Sequence, residues 1–219
     1  MRSFARGCLV MIAASLLLGV GLVVGYLAGT SATIREAPMP TWALPFAAGE
    51  SWVAGGPHAD GEDASQPFNA LDFAPVGEVG KVRSIAAGEV YRVTCDNGFY
   101  LGIDHGSGWR TTYYHMVNQQ DGLIGKEVPA GTYLGDVGTE LPCGGRADGP
   151  HVHIAVYHGT EAIPVDGVGF GGYRPFTTGT NYAGFWLDAE GTRVLSTVHN
   201  LDCCLRATPT ATPAASPAS

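Results

Sequence analysis

The run Asp148-Gly149-Pro150-His151-Val152-His153-Ile154-Ala155-Val156 sets two imidazoles two residues apart in an apolar, β-branched stretch. On a strand, residues i and i+2 point to the same face about 6.6 Å apart, near enough to serve one metal site, whereas on a helix they diverge. One ring can then hold a metal while the other works beside it. The same triplet also describes a half-buried strand with two polar positions. Upstream, His58 closes the turn Gly55-Gly56-Pro57-His58, and Asp72 lies in Asn69-Ala70-Leu71-Asp72-Phe73, which reads as the start of a strand. Each has an ordinary alternative role, an exposed loop histidine or a turn-capping aspartate. Taken with the H-x-H strand, however, two histidines and an aspartate make a three-ligand set. A tetrahedral zinc held by three protein groups keeps a fourth position for water, the arrangement of catalytic rather than structural zinc. His115, at the end of Thr111-Thr112-Tyr113-Tyr114-His115-Met116, would by itself read as a packed strand histidine. A metal-activated water attacking an amide needs one group to take its proton and another to stabilise the oxyanion, and imidazoles near neutral pKa suit both tasks. His115 and the spare member of the H-x-H pair fit those roles.

The elements that must hold these residues are short. Turn signals crowd the chain: Gly55-Gly56-Pro57, Asp96-Asn97-Gly98, His105-Gly106-Ser107-Gly108, Asp121-Gly122, Gly144-Gly145 and Gly171-Gly172. Between them lie β-branched or aromatic runs of strand length: GEVYRV from Gly88, YLGID from Tyr100, RTTYYHM from Arg110, TYLGDV from Thr132 and HVHIAVYH from His151. No amphipathic helix of ten residues stands out. This is the pattern of an all-β, mostly antiparallel domain with hairpin connections.

Outside that region the composition changes. The first seven residues carry Arg2 and Arg6 without an acid, and residues 8–29 are uncharged and apolar, long enough to cross a hydrocarbon core of about 30 Å. Residues 1–32 are therefore expected to be a signal or anchor segment with a membrane span at 8–29, which places the remainder outside the cytoplasm, membrane-anchored or, if the segment is cleaved, secreted. Residues 207–219 are Ala, Thr, Pro and Ser, with too little apolar surface to offset the entropy of ordering, and read as a disordered tail. The formal net charge of −8, with no basic cluster beyond the N-terminus, argues against a nucleic-acid partner.

At its candidate site residues the chain resembles a known family. GGPH, then LDF, then TTYYHM, then CGG followed by GPHVHIAV are similar to the lysostaphin-type zinc metallopeptidases, peptidoglycan endopeptidases, and most of all to the beta-lytic endopeptidase and staphylolysin branch. The resemblance covers about residues 43 to 190, beginning at Leu44-Pro45-Phe46. It implies that His58, Asp72 and His153 hold one zinc ion per chain, and that His115 and His151 act on the water and the transition state. It also implies a duplicated antiparallel β fold with long loops around a groove, and peptides of peptidoglycan cross-bridges, with Gly-Gly or D-Ala-containing bonds, as substrate. Tyr113, two before His115, would orient that histidine or contact the substrate, or simply form a cross-strand aromatic pair. Tyr182 lies about where the branch carries a tyrosine thought to assist the oxyanion. Cys95 and Cys143 fall roughly where the branch has a disulfide and are expected to pair, export making this permissible. Adjacent Cys203 and Cys204 depart from the branch's second bridge. His105, His158 and His199 are expected to be structural or surface residues. The domain reading is then a linker over 33–42, a zinc metallopeptidase domain over 43–206 and the tail. A rival function on the same fold is a non-catalytic zinc-containing module that binds or regulates the cell wall; such modules usually lack a ligand or a catalytic histidine, whereas here all five positions are filled. A structural spacer of the cell surface would leave the histidines unaccounted for.

Overall fold

The computed structural model describes residues 38–61, 67–77, 79–194 and 196–200. The strands among them are β1 (Ser51–Ala54), β2 (Ala70–Pro75), β3 (Lys81–Arg83), β4 (Gly88–Cys95), β5 (Gly98–Asp104), β6 (Trp109–Val117), β7 (Glu127–Val128), β8 (Tyr133–Glu140), β9 (Val152–His158), β10 (Glu161–Ala162), β11 (Arg174–Thr177), β12 (Gly184–Leu187), β13 (Arg193–Val194) and β14 (Thr197–His199). The helical content among the described residues is a single 3₁₀ turn, Asp121–Leu123. The all-β expectation therefore holds, and each of the five strand runs read from the sequence becomes a strand in nearly the same place. No helix of the described residues is long and apolar enough to cross a membrane. The span at 8–29, the tail, Cys8, Cys203 and Cys204 lie outside those residues.

The main sheet runs β14-β1-β2-β9-β6-β5-β4-β7, antiparallel at every step, with β10 added to β9. Strand alternation sorts its two faces. Trp52, Leu71, Phe73, Leu101, Ile103, Tyr113, Val152, Ile154 and Val156 turn to the core. Their neighbours Val53, Asp72, Ala74, Tyr100, Thr112, Tyr114 and His153 line a groove on the opposite face. β6 changes partner along its length: up to Tyr114 it pairs with β9, and from His115 it pairs with β8, which in turn pairs with β3. The Asp96-Asn97 signal is realised as the two-residue loop between β4 and β5, with Cys95 paired to Gly98. A second sheet, β11-β12-β13, shares no strand pairing with the first.

One boundary moves. Trp42, assigned to the linker from sequence, is 1% exposed; it bridges Phe170 and meets Trp109 edge-on, while Met39 packs against the core. The core thus takes in Met39 and Trp42, within the span read as linker, because a thioether and an indole gain from burial.

Candidate metal and active site

Asp72 and His153 become neighbours through register: β2 and β9 pair antiparallel with Asp72 directly opposite His153, and the same row continues to Tyr114 on β6. His58 reaches them from a turn rather than a strand. Its backbone N–H and C=O both bond Ala70, at 3.1 and 3.0 Å, so the turn is tied two residues before Asp72 and on the same face. The turn is in turn held by the smaller sheet. The fully buried Trp186 of β12 donates its indole N–H to Gly55 O at 3.0 Å. Gly56 lies so close to this segment that a Cβ would meet Tyr182 O at 2.7 Å and Gly184 N at 2.8 Å, which only glycine permits.

The three donor atoms converge. His153 Nδ1 is 3.0 Å from Asp72 Oδ1 and 3.1 Å from His58 Nε2, and His58 Nε2 is 3.4 Å from Asp72 Oδ1. Bonds of about 2.0 to 2.1 Å to a tetrahedral ion would set such atoms about 3.4 Å apart, so the spacing suits an ion of zinc's size, and the N, N, O donor set suits it chemically. Among the described residues this is the group of His, Asp, Glu or Cys side chains arranged to hold a metal. The far side of each ring is engaged as well. His58 donates Nδ1–H to Gly56 O at 3.2 Å, and His153 donates Nε2–H to Asp60 Oδ1 at 3.0 Å, which leaves Nε2 and Nδ1 respectively with their lone pairs inward. Burial alone would raise Asp72, but its hydrogen bonds to His153 and His58 hold it well below the ordinary carboxylate range. Burial likewise opposes charge on His153, yet the carboxylates of Asp60 and Asp72 push it up to about 9 in the metal-free site.

Two further imidazoles stand beside this set without belonging to it. His151 occupies an isolated bridge to Gly138 just before β9. Its Nδ1–H is donated to Gly149 O at 2.8 Å, and its Nε2 faces Asp72 Oδ2 at 3.7 Å. His115 donates Nδ1–H to Glu140 O at 3.0 Å, and its ring centroid is 4.5 Å from that of His151. Both rings line the groove, each held through Nδ1. Burial pulls His115 down to about 4, so it is neutral at physiological pH.

A plain strand would have sent His115 into the core with Tyr113. Instead its φ of +64° and a register shift between His115 and Val117 turn its side chain to the groove side with Tyr114. Tyr113 is correspondingly 0% exposed, its hydroxyl accepting a hydrogen bond from Ile85 N at 2.9 Å. It is a core residue and is not among those that line the groove. Tyr114 takes the wall position, with its hydroxyl donating to Gly144 O and accepting from Cys143 N. Tyr182, in contrast, is at the site, stacked on His58 with centroids 4.1 Å apart and 60% exposed. Cys95 and Cys143 form a disulfide, Cα atoms 5.2 Å apart, anchoring the groove-wall loop to the β4-β5 hairpin. His105 sits away from the groove between Ala87 O and Thr111 Oγ1, and His158 bonds Ser107 O. The groove itself has a volume of ≈ 880 Å³. Asp60 was missed from sequence, since it lies in a polar loop with no periodicity to orient it; Tyr157, which donates to its other oxygen, shares the His153 face by the period of two.

An antiparallel β domain with two histidines and an aspartate placed to hold a metal in an open groove, flanked by two further imidazoles, suits a metallopeptidase. Residues 67–165 match the model of Peptidase family M23. The beta-lytic metalloendopeptidase of Lysobacter enzymogenes is 30% identical over 147 residues, 64% of this chain and 81% of that protein. The beta-lytic metalloendopeptidase of Achromobacter lyticus is 31% identical over 160 residues, 68% of this chain but 42% of that longer protein. Among solved structures, the M23 metalloprotease pseudoalterin from the deep sea superposes with a TM-score of 0.63 at 26% identity, covering 73% of this chain and 96% of that one. The chain belongs to peptidase family M23.

Proposed function

We propose that this protein is an exported zinc metalloendopeptidase that hydrolyses peptide bonds in the cross-bridges of bacterial peptidoglycan. The observation that carries the reading is the pairing of three converging donor atoms with two further imidazoles in the same groove. A zinc ion bound by His58, Asp72 and His153 would supply Lewis acidity, polarising the scissile carbonyl and bringing the pKa of a water toward 7. The protein's own groups divide the remaining work. His151 Nε2, nearest the Asp72 carboxylate, accepts the proton of the attacking water and returns it to the departing amine. His115, its ring 4.5 Å from that of His151, is the alternative acceptor for this one proton, and whichever imidazole carries it turns an N–H toward the developing oxyanion. Tyr182, its pKa raised by burial against the groove wall, remains a hydroxyl donor on the His58 side.

The groove is lined by Tyr100, Tyr114 and Tyr182 among others, and Gly-Gly or D-Ala-containing bonds are the proposed substrate within it. The uncharged segment at 8–29 supports a membrane tether. Digestion of purified sacculi of different cross-bridge types, with fragments identified by mass, tests the proposal. Release of cross-bridge fragments from at least one wall type is expected. Zinc-loaded protein that cuts none of them would instead favour a wall-binding module.

A further inference from the structure

We propose that Asp60 is a positioning residue for the metal site, holding His153 so that Nδ1 faces the ion; this rests on the reading of His153 as a zinc ligand. A 180° turn of that imidazole about Cβ–Cγ would replace Nδ1 by a carbon and remove a ligand. Asp60 Oδ1, 3.0 Å from Nε2, bonds the ring only in the productive orientation and fixes its tautomer, since a donor at Nε2 leaves the lone pair at Nδ1. The carboxylate is not left to a free loop. Asn69, buried at 1% exposure, accepts the Asp60 backbone N–H at 3.1 Å, and Asn181 accepts the preceding N–H of Ala59 at 2.8 Å. Tyr157, two strand periods beyond His153 on the same face of β9, donates its hydroxyl to the second carboxylate oxygen. One aspartate thereby joins the turn that carries His58 to the strand that carries His153, two ligands 95 residues apart in the chain.

Zinc affinity of the folded, metal-free protein, measured by competition with a chromophoric chelator, tests this directly. Asp60→Ala should weaken zinc binding by about 10- to 100-fold. Asp60→Asn, whose amide oxygen still accepts from Nε2–H without the charge, should recover part of that loss, and Tyr157→Phe should show a smaller loss in the same direction. Thermal unfolding of the metal-free variants separates positioning from scaffolding: a lower transition with unchanged zinc affinity would assign Asp60 to loop structure and overturn the proposal. Wild-type affinity in Asp60→Ala would overturn it as well. Failure of the wild-type protein to bind zinc at all would be a different result, removing the metal reading on which the proposal rests.

Discussion

His151 and His153 are separated by one valine, yet their rings meet different partners: His153 is clamped between Asp72 and Asp60, while His151 touches the metal set only across 3.7 Å. His153→Ala should therefore lose zinc. His151→Ala should retain close to one equivalent and lose about two to four orders of magnitude in turnover, as expected when an acid-base group is removed from an intact site. Metal analysis beside turnover on a glycine-rich peptide checks both, and reversed zinc contents would exchange their roles. His115 gives a pH signature. Its pKa falls from 6.5 to about 4 on folding, mainly through burial, so between those values the unfolded chain binds the proton that the native protein refuses. Stability of the metal-free protein should decline as pH drops from 6.5 toward 4, and His115→Asn should show a shallower decline. His105, also lowered by burial, accounts for part of the slope that remains. Denaturant unfolding at several pH values reads the difference; identical slopes would mean that His115 titrates normally.

At the level of elements, the meeting of His115 with His151 depends on β8. Gly138 receives His151 N–H on its carbonyl at 3.2 Å, and a Cβ on it would meet His115 O at 2.7 Å. Gly138→Ala should push the His115 bulge outward, costing about 1 to 3 kcal/mol as an overpacked contact and lowering turnover while zinc content stays at one equivalent; unchanged turnover would show that the spacing tolerates movement. Removing the Cys95 to Cys143 bridge should cost about 2 to 5 kcal/mol, measurable as a shift in the denaturant midpoint of a double-serine variant. These two features also mark where the sequence could and could not be read. The strands of Gly88, Tyr100, Arg110 and His151 were legible because turn residues bracket β-branched runs, and a ligand set of His58, Asp72 and one histidine of the H-x-H pair because of their types, the choice of His153 over His151 coming from the family resemblance. The exchange of Tyr113 for Tyr114 at the groove was not, because period-two alternation contains no sign that His115 adopts φ of +64°. Asp60 was hidden for a related reason: its orientation comes from Asn69 and Asn181, distant in sequence and without any pattern that announces them.

For the whole molecule, zinc and fold should stabilise one another. The three ligands come from a turn and two strands, so binding requires their native juxtaposition, and free zinc at about one hundred times its Kd should add about 2.7 kcal/mol to unfolding stability. Calorimetry with and without zinc measures this, and equal transitions would exclude a metal coupled to the fold. The smaller sheet shares in the coupling through Trp186 and Gly55, since it braces the His58 turn from outside the groove. The crossing order of the main sheet carries a consequence for how the molecule comes into being. His58 and Asp72 are synthesised 95 and 81 residues before His153, and β9 must slot between β2 and β6 to complete the ligand set. A growing chain thus holds at most two of the three proposed ligands until residue 153 has been made. On the proposed reading the ligand set is closed by the insertion of a central strand, so that any zinc-dependent activity waits for β9 to pair between β2 and β6.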